Sequence, residues 1–346
     1  MALFDFFSDK KKSESVVLID IGTGSVAGAY ARYSEGEQPA MLYTRRLPIT
    51  IHPDEPHADA MLRALGILGT ALVNEGAPVL LRATGSGSAD AVLVSVDAPW
   101  QKTAVRTEYF EQKEPFIFTK SLVDAALAET AAIPVGQLLA DESIIGTILN
   151  GYETKDPYGK EAHRASVVIL TSLIDEQVAK GIHSAISGLY HTKNILTIAG
   201  SSLRYQAMRI AFPHERDALI LDATGPLSTI SLVRRNLLVD VLEVASHRAG
   251  TEVWLEAITD ELAALALRFP LPRTIFLLAR EENLSKLRAT LDAAHLGKFW
   301  LSDNPPKIVS VQGSHLSGLI RQATTAAPDL SLLLMALYFQ YRSVEQ

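Results

Sequence analysis

The 346-residue chain contains no cysteine. This absence excludes disulfide bonds, zinc sites built from thiolates and catalytic mechanisms that use a cysteine nucleophile.

The chain also lacks an unbroken run of eighteen apolar residues and lacks an excess of positive charge. Its formal net charge is −7 at pH 7 and 48% of its residues are hydrophobic. The absence of a long apolar run argues against a membrane-spanning helix. The negative net charge argues against a broad nucleic-acid-binding surface. Since residues 1–12 carry their charges after the apolar residues and have no long apolar core, no secretory signal is predicted, and we expect a cytoplasmic protein.

Residues 1–15 form a predicted N-terminal arm that joins aromatic residues to lysines. Aromatic rings can enter a membrane interface while ammonium groups meet anionic head groups, so the arm could make a weak membrane contact at the inner face of the membrane. The alternative is a disordered or lightly docked terminus, which the small number of apolar residues favours. The candidate contact residues are Phe4, Phe6, Phe7, Lys10, Lys11 and Lys12.

The stretch that organises the chain is residues 16–30. Residues 16–21 are apolar and rich in β-branched residues, which predicts a buried strand that carries Asp20 near its end. Gly22 and Gly24 then permit a tight turn, and Thr23 and Ser25 place hydroxyls beside exposed backbone N–H groups. Such a loop could wrap a phosphate while Asp20 faces a hydrated magnesium ion.

Two other interpretations of this loop remain open. It could be an ordinary glycine turn between two strands. Residues 22–27 also match the G-x-G-x-x-A dinucleotide fingerprint, but no clear helical pattern follows and no acid stands about twenty residues downstream to hold a ribose.

Acidic and histidine side chains elsewhere in the first hundred residues give two weaker indications of a functional site. Asp97 follows the apolar strand predicted at residues 91–96, where it could act as a base or cap a turn. Residues 52–57 contain two histidines and two acids, but their two prolines favour a solvated loop over a metal site.

A second strand, aspartate and glycine turn occurs in the other half of the chain. Residues 218–222 are an apolar strand that ends at Asp222, and Gly225, Ser228 and Thr229 follow before two more predicted strands. This order repeats that of residues 16–47, and two such hairpins are more specific than either one alone. Residues 315–324 and 330–341 are predicted as the last helices; the second is apolar nearly all round, as in a helix wedged in a core.

The two hairpins resemble the phosphate motifs of the actin-like ATPase superfamily. The block between them, with Gly151-Tyr152, residues 157–159 and the apolar strand 167–173, is similar to the inserted subdomain of the FtsA and PilM families. The resemblance implies an α/β fold of the actin-like type, in which a ribonuclease H-like unit is duplicated and the two copies enclose a cleft. It also implies an inserted small α+β subdomain of SHS2 type and a reduced subdomain at the far wall of that cleft. The implied division is an arm at 1–15, a first subdomain at 16–99 plus 313–346, an insertion at 100–215 and a reduced second subdomain at 216–312.

The resemblance also implies ATP and Mg²⁺ as ligands. The implied nucleotide-binding positions are Asp20, Gly22, Thr23, Gly24, Ser25, Asp222, Gly225, Ser228 and Thr229. Asp20 and Asp222 would hold Mg²⁺ through water if a nucleotide binds. No catalytic residue is assigned, and Asp20, Asp97 and Asp222 are candidates.

Three departures from the superfamily pattern weaken that implication. Pro226 offers no N–H to a phosphate and Leu227 is bulky in the second turn. Where paired glycines usually lie against the adenosine, this chain has Arg280, Glu281 and Glu282. Little beyond one helix is predicted between the second hairpin and this segment, so the far wall is largely missing.

The sequence therefore predicts a cytoplasmic scaffold or adaptor with degenerate nucleotide binding and weak or absent ATPase activity. By resemblance, it would serve PilM-like type IV pilus assembly and bind a peptide or cytoplasmic tail of an inner-membrane protein, with self-association also open. The alternatives are an FtsA-like cell-division protein and an active ATPase or sugar-kinase-like phosphotransferase.

Overall fold

The computed structural model describes residues 13–128, 133–154, 156–244, 250–301 and 305–342. The six residues predicted to contact a membrane lie outside these ranges. The first strand begins at Ser13, within the segment that was predicted as the arm.

The first half of the fold is a six-stranded sheet in the order β15-β3-β2-β1-β4-β9. The antiparallel meander β1-β2-β3 and the parallel return of β4 beside β1 confirm the order predicted from the sequence. The strands are β1 (Ser13–Ile21), β2 (Ser25–Ser34), β3 (Ala40–Pro48), β4 (Ala91–Val96), β9 (Ile195–Ala199) and β15 (Arg321–Gln322).

Helices cover both faces of this sheet. One face carries α1 (His57–Ala71), a π-helical turn (Leu72–Gly76), α2 (Ala77–Thr84) and α4 (Glu176–Leu189). The opposite face packs on α5 (Gly200–Ala211) and α8 (Leu330–Tyr341). The continuous helical stretch His57–Thr84 is long and apolar enough to cross a membrane. Its apolar side, which includes Met61 and Leu68, instead packs on the sheet.

The second half repeats the first around a five-stranded sheet in the order β12-β11-β10-β13-β14. Its first two strands are again antiparallel, and β13 returns parallel to β10, as β4 does to β1. In the described part of this half, one helix, α6, lies between β12 and β13, as expected for a reduced far wall. The elements are β10 (Ala218–Ala223), β11 (Ser228–Arg234), β12 (Leu237–Val244), α6 (Thr251–Arg268), β13 (Thr274–Ala279), α7 (Glu281–Ala293) and β14 (Lys307–Val311).

The inserted block contains a separate antiparallel sheet in the order β5-β8-β6-β7. Its core includes Phe118, Val123 and Ile169. The elements are β5 (Gln101–Ile117), α3 (Lys120–Ala128), β6 (Gln137–Leu149), β7 (Tyr152–Glu153) and β8 (Glu161–Asp175).

Within residues 100–215, the sequence pattern predicts a helix at 174–189, a strand at 193–199 and a helix at 201–210. The structure forms all three elements but packs them with the first half. Strand β9 pairs in parallel with β4, helix α4 packs beside α1, and α5 packs on α8. The sequence pattern predicted these elements but not their partners, because pairing depends on residues about a hundred positions away. This placement makes α5 a wall of the cleft between the two halves.

The C-terminal segment differs from its prediction in one place. Residues 315–324 do not form the predicted helix; a 3₁₀ turn (Gly313–Leu316) leads into the short strand β15, which extends the first sheet beside β3. Backbone bonds from Arg321 and Ala323 to Pro39 and Met41 provide the competing stabilisation. Helix α8 is buried around most of its surface between the two sheets, as predicted.

Candidate functional site

The two aspartate hairpins face each other across a narrow cleft. Asp20 lies near the end of β1, and Asp222 occupies the equivalent place in β10, where it pairs with Thr229. The hairpin turns touch, because the Leu227 N–H lies 3.4 Å from Thr23 Oγ1. A Cβ atom on Gly225 would overlap that same hydroxyl, so glycine is needed for this close approach.

Asp97 joins the cleft because β1, β4 and β9 end at the same edge of the sheet. Ile21, Val96 and Ala199 lie side by side in the register of these three parallel strands. Asp97 is the next residue after β4, and its backbone N–H donates to Ile21 O at 2.9 Å. The sheet thus brings Asp97 beside Asp20.

The guanidinium of Arg204, a residue that is only 3% exposed, lies buried among these three aspartates. Arg204 donates two hydrogen bonds to Asp97, from Nη1 to Oδ1 at 3.1 Å and from Nη2 to Oδ2 at 2.8 Å. Its Nε pairs with the Asp222 carboxylate, and its Nη2 lies 3.7 Å from Asp20 Oδ1. One arginine thus pairs with all three aspartates that the sequence singled out.

Helix α5 delivers this arginine because it begins directly after β9. Gly200 is its first residue, and Arg204 follows one turn later on the side that faces the cleft. A Cβ on Gly200 would overlap both the Asp97 carboxylate and the Arg204 guanidinium. The absence of a side chain at Gly200 therefore allows the ion pair to form against the start of the helix.

A second basic group closes the mouth of the first hairpin. Arg46 on β3 donates to Asp329 at 2.6 and 2.9 Å, to Asp20 Oδ2 at 3.0 Å and to Ser25 Oγ at 2.7 Å. Arg280, from the second half, donates to the same Ser25 hydroxyl at 2.7 Å and to Thr224 O at 2.9 Å. Ser25, predicted to face a phosphate, thus accepts hydrogen bonds from two arginines.

These contacts perturb the ionisation of the charged groups. Burial raises the pKa of Asp97 to about 7; Arg204 opposes this change, and the nearby Asp20 and Asp222 carboxylates add to it. Burial disfavours the charge of Arg204, but its three carboxylate partners outweigh burial and raise its pKa. Burial and then the neighbouring Arg46 charge lower the pKa of Arg280.

The other predicted nucleotide-binding residues also have partners within the chain. Gly22 O accepts from Trp100 Nε1 at 3.2 Å, and Gly24 O accepts from the Ile49 N–H at 3.0 Å. Ser228 is fully buried, and its hydroxyl accepts from Trp254 Nε1 at 2.9 Å. These hydrogen bonds from neighbouring elements stabilise the conformation of the two hairpins.

Sequence reasoning missed three charged residues of this site, Arg46, Arg204 and Asp329, and it named Arg280 only as a departure on the adenosine side. Arg204 and Arg46 lie on a helix and a strand that the pattern predicts correctly, but one arginine on either element carries no sign of a cleft. Asp329 directly before an apolar helix does signal a helix cap, and it does accept from the Leu332 N–H at 3.2 Å. Its second role as the partner of Arg46 depends on the tertiary packing.

Solved structures resemble this chain over nearly its whole length. The structure described as a "PilM-PilN type IV pilus biogenesis complex" matches with a TM-score of 0.58 and 14% identity, and the match covers 96% of this chain and 99% of the other. The chain has the actin-like ATPase fold. No protein-family model matches it, and no curated protein matches its sequence.

Two further structures match less well. A Bacteroides thetaiotaomicron protein with an actin-like ATPase fold gives a TM-score of 0.48 at 10% identity, with 97% and 99% of the two chains covered. The ethanolamine utilization protein EutJ from Carboxydothermus hydrogenoformans gives 0.43 at 9% identity, with 94% and 89% covered.

Proteins with the actin-like ATPase fold typically bind ATP and Mg²⁺, but the residues of this cleft do not fit that pair in the arrangement observed. The cavity between the hairpins measures about 30 Å³, which is room for about two water molecules and far less than a nucleotide needs. The three carboxylates that would face a hydrated cation are paired with Arg204 instead. Within the described ranges, no group of three or more histidine or acidic side chains is arranged to hold a metal ion.

Proposed function

We propose that this protein is an actin-like adaptor of a membrane-associated assembly, of the PilM type, and that its former nucleotide cleft has become a structural element. The protein would act in the cytoplasm, at the inner face of the membrane, by binding the cytoplasmic tail of a membrane protein. The observation that carries the proposal is Arg204, whose guanidinium occupies the space among Asp20, Asp97 and Asp222.

The fold supports the adaptor part of the proposal. The first half, the insertion and the reduced second half all align with a chain of a PilM–PilN complex, since the match covers 96% of this chain and 99% of the other. A chain of that complex functions in association with a second protein. We extend that kind of partnership, a peptide from a membrane protein, to this chain.

The electrostatics of the cleft support the loss of nucleotide binding. Arg204 would attract a phosphate only after releasing its three carboxylates, which would then face the polyanion at close range. The second turn adds Pro226, which lacks an N–H, and Leu227, which contacts the opposite hairpin. A nucleotide would have to separate the two hairpins and break these ion pairs.

Calorimetric titration with Mg-ATP tests this part. We expect no heat of binding for the wild-type protein and no ATP hydrolysis above a buffer control. Binding in the micromolar range that requires Mg²⁺ and is abolished by Asp20→Asn would refute the degenerate-cleft proposal and favour the ATPase or phosphotransferase alternative. In that alternative Asp97 would serve as the base, a role that its two hydrogen bonds from Arg204 oppose.

Peptide binding tests the adaptor part. Fluorescence anisotropy would be measured with labelled peptides from the cytoplasmic tails of single-span membrane proteins encoded beside this chain's gene. Saturable binding of one tail, absent for its scrambled sequence, is expected. If no tail binds, and the protein instead pairs with a division-ring component in the same assay, the FtsA-like alternative replaces the PilM-like one.

A further inference from the structure

The two halves of the protein are joined in different ways at the two ends of the cleft. Behind the cleft, a continuous apolar core that contains α5 and α8 connects the first and second sheets. At the mouth, where the hairpins meet, the contacts across the cleft are polar and few. The mouth is therefore the end at which the two halves can separate while the core behind acts as a hinge.

Two arginines connect the two halves across the cleft. Arg204 belongs to the wall of the first half and pairs with Asp222 of the second half, while it also holds Asp20 and Asp97 of the first half. Arg280 belongs to the second half and donates to the neutral hydroxyl of Ser25 in the first. An ion pair between opposite charges in a buried site is stronger than a hydrogen bond from a guanidinium to a neutral hydroxyl, so Arg204 is the main connection.

Hydrogen bonds on either side of Arg204 hold helix α5 in place. At its start, Ser201 Oγ donates to Thr103 Oγ1 of the inserted sheet at 3.0 Å. Beyond Arg204, the Tyr205 hydroxyl donates to Asn236 O of the second half at 2.5 Å. Because these contacts fix the backbone of the helix, the guanidinium is already positioned among its carboxylates.

We propose that Arg204 is an internal lock: its guanidinium provides, from within the chain, the positive charge that holds the two halves closed across the cleft. All of its partners are side chains of the same chain, so closure requires no bound cation or nucleotide. The lock keeps the protein in a single closed shape, which suits a scaffold that presents a fixed surface. The inference rests on the proposed function only in that both require the cleft to hold no nucleotide.

Distance measurement between the two halves tests the lock directly. The chain has no cysteine, so Asn74→Cys and Ser285→Cys would place one spin label on each half at exposed positions. In the otherwise wild-type protein, we expect one narrow distance distribution that does not change when Mg-ATP is added. Arg204→Ala should give a longer and broader distribution, and Arg204→Lys, which keeps the charge but loses the forked geometry, an intermediate one.

Arg268→Ala is the matched control, because Arg268 is a surface arginine of the second half that pairs with Asp240. It should leave the distribution unchanged. If Arg204→Ala gives the narrow wild-type distance, the lock does not exist. Should Arg204→Ala fail to fold, Arg204→Lys decides: a broadened distribution supports the lock and a wild-type one overturns it.

The outcomes separate the lock from the proposed function. Tight Mg-ATP binding by the wild-type protein would refute the degenerate cleft, whatever the distances in the Arg204 variants. Conversely, an unchanged distance in Arg204→Ala would remove the lock while the calorimetric result and the peptide binding still stood.

Discussion

Asp20 and Asp222 belong to opposite halves of the protein, yet both pair with the guanidinium of Arg204. In the sequence they mark two copies of one strand-and-turn motif, and in the fold they lie on the two sides of one cleft. The positive group between them comes from neither hairpin. Four predictions follow from this arrangement and from the close contacts around it.

Removing the Arg204 guanidinium should strongly destabilise the protein. Arg204→Ala leaves three carboxylates facing one another without a counter-charge, and breaking a buried ion pair from one side costs about 3–5 kcal/mol. Urea unfolding followed by circular dichroism measures the loss. The surface variant Arg268→Ala, which breaks an exposed ion pair, should lose at most about 1 kcal/mol. Equal losses for the two variants would show that the Arg204 cluster contributes no more to stability than an exposed ion pair.

The stability of the wild-type protein should depend on pH through Asp97. Because its pKa is raised from 3.8 to about 7, the folded protein binds an extra proton between these values. The stabilising effect of that proton is complete below pH 3.8 and is lost as the pH rises through 7, with a slope of at most about 1.4 kcal/mol per pH unit.

The measurement compares wild-type protein with Asp97→Asn, which cannot titrate at this position. Urea unfolding at pH 5, 6, 7 and 8 should show the free energy of unfolding of the wild type falling relative to that of the variant as the pH rises. A difference between the two proteins that stays constant over this range would contradict a raised pKa at Asp97.

The contact between the hairpin turns predicts a coupling between Gly225 and Thr23. Gly225→Ala places a methyl group on the Thr23 hydroxyl and should cost about 1–3 kcal/mol through overpacking. Thr23→Ala removes that hydroxyl. The double variant should therefore lose less free energy of unfolding than the two single variants lose together. A double-mutant cycle from urea unfolding measures the coupling, and strict additivity would show that the turns do not touch.

Two helical glycines should respond in opposite ways to alanine. Gly200→Ala would push a methyl group into the Asp97 and Arg204 side chains and should destabilise the protein. Gly188→Ala, in α4, meets no atom within 4 Å and should stabilise by about 0.5–1 kcal/mol, because alanine loses less backbone entropy in a helix. Thermal unfolding of both variants should therefore shift the midpoint down for the first and up for the second.

Local pattern was sufficient for most of the fold. Strands β1 and β10 were predicted from short apolar runs that end in aspartate, and their common surroundings predicted the duplication. Helix α8 was predicted as a core helix from its uniform apolar surface, and the two sheets do enclose it. These features depend on neighbouring residues, so the sequence carries them directly.

Predictions failed where distant segments compete. Residues 315–324 have an acceptable helical pattern, but an open edge of the first sheet is available beside β3, and β15 pairs there. Helix α5 was predicted as a helix of the insertion, whereas the pairing of β9 with β4 carries it into the cleft. Neither the pairing of β15 nor the placement of α5 can be predicted from the segment alone.

By itself the sequence determined the two aspartate hairpins, the loss of donors at Pro226 and the actin-like order of elements, because each is a property of adjacent residues. Only the tertiary structure decided what occupies the cleft. The position of Arg204 depends on a strand pairing between residues about a hundred positions apart, and its three carboxylates lie at or just beyond the ends of strands in both halves. A buried charge is stable only with such partners around it, and their assembly is a consequence of the folded packing.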